Sequence, residues 1–183
     1  MSNQSSQITI KQLLRGRNLY LIGMMGSGKT IIGKLLAKKI SLPFYDSDER
    51  VESKLNLKIS EIFSKYGEKR FRQEEELICK ELLNKNDFVL ALGGGAILNK
   101  EIQKLMLGKT LSIWIKTNID VLFERLKNDR SRPLLNEVDL KKEIEKISSD
   151  RKQFYSKSDI CIENNDDDIN QVVKKIIARI NKV

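Results

Sequence analysis

A chain of 183 residues, 40% of them hydrophobic and 32% charged with only two prolines, suits one compact domain with its own core. No apolar run approaches the ~20 residues that cross a bilayer. Histidine is absent, which excludes Ser-His-Asp and Cys-His catalysis, histidine metal sites and histidine general bases. In chain order, Met1–Arg17 is polar and then basic, an extension whose Ile8–Leu14 portion suggests a short helix. Asn18–Ile22 is a short apolar run that predicts a buried strand. Directly after it comes Gly23-Met24-Met25-Gly26-Ser27-Gly28-Lys29-Thr30, which satisfies the phosphate-loop pattern G-x-x-x-x-G-K-[ST]. Ile31, Ile32, Leu35, Leu36 and Ile40 then recur at helical spacing.

That loop fixes the kind of anion bound. Glycines let the backbone wrap a diphosphate, and the following helix start offers unpaired N–H groups and the positive end of its dipole. Gly26, Ser27, Gly28, Lys29 and Thr30 are thus the expected nucleotide-binding residues. Lys29 would reach the β- and γ-phosphates and the Thr30 hydroxyl would ligate Mg²⁺. The net charge is +9, yet residues 1–45 hold seven Lys or Arg and no acid while the rest is nearly balanced. The surplus is therefore expected to flank the phosphate loop and draw in a polyanionic nucleotide. Aromatics interleaved with basic residues, needed to stack bases, are missing, so no nucleic-acid partner is expected.

Further along, short strands are expected at Pro43–Asp46, Phe88–Leu92, Leu111–Ile115 and Asp159–Ile162. Helical patterns fill the gaps, notably at Phe71–Leu83, Asn118–Leu126 and Leu140–Gln153, and a closing helix carries Ile169, Val172, Val173, Ile176, Ile177 and Ile180 on one face. Strands alternating with helices predict a parallel sheet covered on both faces, with ligands beyond the carboxyl ends of its strands. Cys79 and Cys161 lie in apolar contexts and are expected to be buried free thiols, which fits a reducing cytosol.

Four stretches beyond the loop carry candidate chemistry. Asp46-Ser47-Asp48 follows the second strand, so one carboxylate could serve Mg²⁺ and the other an acceptor; Asp46 or Asp48 could also simply cap the next helix. Gly93-Gly94-Gly95 follows the third strand, where many phosphate-loop enzymes place a metal-binding Asp. Asp46 is then the candidate for that role. Gly67–Glu76 reads as a loop running into a helix, on which Glu75 could hold an Arg72 fork ready for a carboxylate. Arg125–Leu135 is a basic loop with the makings of a lid, and Arg151 could be another anion clamp.

In this order and combination, these stretches resemble shikimate kinase over roughly residues 18–180. The resemblance rests on Gly23–Thr30, Asp46-Ser47-Asp48, Gly67-Glu68 with Phe71-Arg72 and Glu75, Gly93-Gly94-Gly95, and Arg132-Pro133-Leu134-Leu135 with Arg151. It implies an α/β fold: a three-layer α/β/α P-loop NTPase of the nucleoside monophosphate kinase type, with a five-stranded parallel sheet in the order 2-3-1-4-5. Residues 18–183 would form one kinase domain with its lid at about 125–138. The implied reaction is transfer of the ATP γ-phosphoryl group to the 3-hydroxyl of shikimate. By matched positions, Asp48 would hold the acceptor hydroxyls, as base or as the group that orients them. Arg72 and Arg151 would clamp the acceptor carboxylate, with Gly94 and Gly95 lining that pocket. Asp46, through water, and Thr30 would hold Mg²⁺, Arg132 would swing in with the lid, and Arg125 would pack near adenine. A cytoplasmic monomer with small-molecule substrates and no membrane partner is expected.

Departures are few. Ser47 stands where Thr is more usual, and Asn164–Asp168 lacks the proline often found in the adenine-contacting turn, so no adenine contact is assigned there. Nucleoside monophosphate kinases usually show an Asp-Gly-Phe-Pro-Arg-like segment, which is absent. Gluconate kinase shares the loop without the triglycine and Phe71-Arg72. A regulatory phosphate-loop module would need no second anion clamp.

Overall fold

The structure is a computed structural model that describes residues 10–129, 139–165 and 168–183. Its centre is a five-stranded, wholly parallel sheet in the order β2-β3-β1-β4-β5, as the resemblance implies. The strands are β1 (Asn18–Ile22), β2 (Phe44–Asp46), β3 (Val89–Ala91), β4 (Thr110–Lys116) and β5 (Ile160–Glu163). The helices are α1 (Ile10–Leu14), α2 (Lys29–Ile40), α3 (Ser47–Leu55), α4 (Ile59–Leu82), α5 (Lys100–Met106), α6 (Ile119–Leu126), α7 (Leu140–Tyr155) and α8 (Ile169–Ile180).

Alternation along the central strands divides the core. Leu19 and Leu21 of β1, with Leu111, Ile113 and Ile115 of β4, meet Ile32 and Leu36 of α2 and Val172, Val173 and Ile176 of α8. Tyr20 and Ile22 point to the other face, where Val51, Phe71, Ile78, Leu122, Ile144 and Tyr155 gather. Both faces are covered, which suits continuous apolar strands.

Three expectations need correction. The stretch before Phe71 is not a loop: α4 is helical on both sides of Gly67, whose φ of 75° and ψ of 167° break it into two rods. Only glycine adopts that backbone region readily, so the helix turns there. Cys79 is buried, but Cys161 is exposed. β5 lies at the sheet edge and buries only alternate residues, and Cys161 falls on the open side.

The basic surplus also sits elsewhere than expected. α2 leaves the phosphate loop and carries Lys38 and Lys39 at its far end, about 15 Å away at 1.5 Å per residue. Lys11 pairs with Asp87, just ahead of β3, so α1 with Arg15 and Arg17 lies at the amino edge of the sheet. Near the loop, Lys29 lines the cleft and Lys34 pairs with Glu49.

Candidate active site

The carboxyl ends of β1, β2 and β3 open into a cleft of roughly 550 Å³, within the usual size for small-molecule sites. One wall is the phosphate loop. Gly28 caps α2 and Lys29 begins it, so the helix's unpaired N–H groups and positive dipole end face the loop. Lys29 Nζ folds back to donate to the carbonyls of Gly23 (3.0 Å) and Met24 (2.9 Å). The loop is braced from outside: Asn164 Nδ2, at the end of β5, donates to Ser27 O at 2.8 Å. Arg125 Nη1 donates to Gly26 O at 3.1 Å.

Asp46 ends β2 and does two jobs. Its Oδ1 accepts from the backbone N–H of Asp48 (2.9 Å) and Glu49 (3.4 Å), capping α3. Its Oδ2 accepts the Thr30 hydroxyl at 2.6 Å. Capping and a place beside Thr30 therefore coexist. The two donor atoms are hard oxygens, a hydroxyl and a carboxylate, the set a Mg²⁺ ion uses when phosphates and water complete its octahedron. Among the described residues no cluster of three or more acidic, Cys or His side chains gathers that could hold a metal alone. A Mg²⁺ held partly by substrate phosphates needs none.

Opposite the loop lies a second anion site. Arg72, one turn beyond the Gly67 break, is gripped by Glu75 (Nη1 to Oε2, 2.8 Å) and by Glu68 (Nη2 to Oε1, 2.9 Å). Arg151 comes from α7 and is 95% buried (5% exposed), and its Nη1 has no hydrogen-bond partner among the described residues. Two guanidiniums, one locked and one with a donor to spare, are suited to a bidentate carboxylate.

The triglycine is explained by what packs on it. A Cβ on Gly93 would lie 2.2 Å from Glu75 Oε1 and 2.5 Å from Asp48 Oδ1; on Gly95 it would lie 2.4 Å from Arg72 Nη2. On Gly94 it would lie 3.1 Å from Arg151 Nη1. The backbone is bare so that four charged side chains can close over it, which a freely turning loop would not require. Two further bonds hold it still: Gly93 N–H donates to Ser47 Oγ (2.8 Å) and Tyr155 donates to Gly94 O (2.7 Å).

Glu75 is the electrostatic anomaly. Its side chain is 1% exposed, and Oε1 has no hydrogen-bond partner among the described residues. Burial, helped by the nearby Asp48, pushes its carboxyl up to about 7 even though Arg72 and, more weakly, Arg151 pull it down.

The cleft thus gathers Gly26, Gly28, Lys29, Thr30, Asp46, Asp48, Arg72, Gly94, Gly95 and Arg151 of the expected site. Ser27 is buried within the loop, and Arg125 lies against Gly26. Arg132, and with it Pro133-Leu134-Leu135, lies outside the described residues. Sequence reasoning missed the apolar side of the cleft, Ile59 and Phe63 beside Phe71, because these read as ordinary core residues. It also missed Ser47, Tyr155 and the bracing role of Asn164. For Tyr155 the spacing from Arg151 was the available signal, since residues four apart on a helix share a face.

The shikimate kinase family model matches residues 25–181. The shikimate kinase of Legionella pneumophila (strain Corby) is 39% identical over 166 residues, covering 90% of this chain and 95% of that protein. That of Bartonella quintana is 36% identical over 173 residues, covering 93% and 82%. Among solved structures, a shikimate kinase from Acinetobacter baumannii in complex with shikimate superposes with a TM-score of 0.89 at 30% identity, covering 94% of this chain and 97% of that one. A gluconokinase from Sinorhizobium meliloti, 13% identical with a TM-score of 0.60, shares the fold alone. With a matched model over most of its length and relatives above a third identical, the chain belongs to the shikimate kinase family, and is a kinase with ATP as co-substrate.

Proposed function

We propose that the residues of this cleft divide the work of phosphorylating the 3-hydroxyl of shikimate. The observation that carries the division is the two-sided cleft itself. A phosphate loop with Lys29 shares one cleft with a second anion site made by Arg72 and Arg151, and Asp48 lines the same cleft. An enzyme that only hydrolysed a nucleotide would have no use for the second site.

The backbone N–H groups of Gly26 to Thr30 receive the ATP phosphates. Lys29 exchanges its two carbonyl partners for β- and γ-phosphate oxygens, and Arg125 flanks the loop toward the base. Thr30 and Asp46 would hold Mg²⁺, which when bound neutralises charge on the β- and γ-phosphates. Arg72 and Arg151 clamp the acceptor carboxylate against Gly94 and Gly95, while Ile59, Phe63 and Phe71 cover its apolar ring. Asp48 accepts the hydroxyl proton as the new O–P bond forms and the bond to the β-phosphate oxygen breaks, releasing ADP. Lid residues at about 125–138 would close the site, with Arg132 meeting the transferred group. Positioning and charge neutralisation suffice for such chemistry, and no covalent intermediate is needed.

Residues 18–183 act as one kinase domain, preceded by an extension over 1–17. No described helix is long and apolar enough to cross a membrane; with one of the two free thiols exposed, a reducing cytoplasm is the fitting compartment, with neither nucleic acid nor membrane as partner. The test is ADP release with ATP, Mg²⁺ and a panel of small alcohols. Shikimate should stimulate turnover well above quinate, gluconate and water; equal rates across the panel would remove the acceptor assignment.

A further inference from the structure

Two carboxylates stand side by side in the acceptor site, and the reaction uses only one. Asp48 Oδ1 and Glu75 Oε1 crowd the same point above Gly93, so closely that a single methyl there would touch both. Asp48 lines the open cleft, whereas Glu75 lies behind it with one oxygen tied to Arg72 and the other unpartnered. The charged groups facing Glu75 are Arg72 on its own helix, Asp48 from α3 and Arg151 from α7, with the buried Cys79 thiol one turn away. In the empty cleft the two cations pull the Glu75 carboxyl down against burial and Asp48, so that it is only partly protonated near neutrality.

We propose that the acceptor brings a proton into the site: when a carboxylate seats on Arg72 and Arg151, Glu75 takes up a proton from solvent on Oε1, leaving Asp48 as the ionised carboxylate at the acceptor hydroxyl. Three effects act in one direction. The bound carboxylate takes a share of the guanidinium charge that Glu75 already divides with Glu68, it adds a negative charge nearby, and it displaces water. Two adjacent carboxylates whose environments drive them apart is the usual way that one becomes the acid and the other stays the base. The protonated Oε1 gains an O–H to donate, which resolves its lack of a partner. Glu75 is on this view a positioning residue: it sets the charge state of the pair without touching the transferred group.

The sign follows from linkage. Glu75 titrates near 7 when the site is empty and higher when it is filled, so acceptor affinity is greatest below pH 7. It then falls by up to about tenfold per pH unit above neutrality, until the filled-site value is passed. The inference rests on shikimate as the acceptor, and the experiment separates the two. Shikimate is titrated calorimetrically into the full chain, without nucleotide, at pH 7.5 in phosphate, HEPES and Tris, whose ionisation heats differ. Uptake on the order of half a proton or more per acceptor is expected. Glu75→Gln, which keeps an oxygen for Arg72, should show none and should lose the alkaline fall in affinity. Shikimate that binds and turns over without proton uptake overturns this inference and leaves the acceptor assignment standing. Uptake that persists in Glu75→Gln overturns it too, by moving the proton to another group. Shikimate that neither binds nor turns over overturns both.

Discussion

Gly95 has an ordinary backbone, with φ −96° and ψ −14°, so alanine there meets no torsional obstacle. What it meets is the head of Arg72, and a guanidinium at the end of a flexible chain can swing aside. Gly95→Ala should therefore cost about 1–3 kcal/mol of unfolding free energy, as Arg72 leaves its bond to the buried Glu75, while the KM for shikimate rises about tenfold or more and that for ATP is unchanged. A charge-assisted hydrogen bond contributes about 1.5–3 kcal/mol, which sets the size of the effect. Arg72→Lys should behave alike, because an ammonium cannot replace the fork. Steady-state kinetics with each substrate varied decides it: equal weakening toward ATP and shikimate would contradict the clamp. At this scale the sequence was legible where side chains carry charge in unusual company. Arg72, Glu75 and the triglycine stood out singly, but that each glycine is shaped by particular charged neighbours depends on contacts between residues 18 to 57 positions apart. Asn164 and Tyr155 gave no such signal, since an amide after a strand and an aromatic on a helix are ordinary in any chain.

Among the elements, α4 shows best what pattern reading misses. From Ile59 to Tyr66 its apolar residues are Ile59, Ile62, Phe63 and Tyr66, a fair helical period, but Gly67 ends the window before three full turns. Tertiary packing against α3 and the Lys58–Glu61 capping bond supply what propensity alone does not. Similarly α3 has only Val51 and Leu55 as aliphatic anchors, and its start is marked chiefly by Asp46. The break at Gly67 lets Ile59 and Phe63 face the cleft on one rod and Phe71 and Arg72 on the next. Nothing lies within 4 Å of a Cβ built there, so any cost of Gly67→Ala is torsional and not steric crowding. The expected loss is about 1–3 kcal/mol in denaturant unfolding, or, if the chain relieves it by straightening the helix, a raised KM for shikimate at little cost in stability. Both quantities unchanged would mean that the break is incidental.

Over the whole molecule, the sheet separates what holds the fold from what performs the reaction. The strand order came from the family resemblance; what the motifs themselves made legible was the edge, because phosphate loop, Asp pair and triglycine each follow a strand and ligands gather at the carboxyl edge of such sheets. Strand ends differed by a residue or so, since the last residues pair or fray according to their neighbours. The division of the core by face was also written in β1, where Leu19 and Leu21 alternate with Tyr20 and Ile22. The side built from α2 and α8 contributes the phosphate loop's helix but none of the acceptor clamp; Phe71, Tyr155 and the residues beneath Arg151 belong to the other. Ile176, fully buried on α8, tests this separation. Truncation to alanine removes three carbons from a packed site and should cost about 2–5 kcal/mol. Below its lowered melting temperature the variant should keep kcat and the KM for shikimate within about twofold, because no acceptor contact passes through that layer. A comparable loss of stability accompanied by a large rise in the shikimate KM would show the two faces to be mechanically coupled through the sheet, and would tie the site's geometry to the whole core and not to its own side of it.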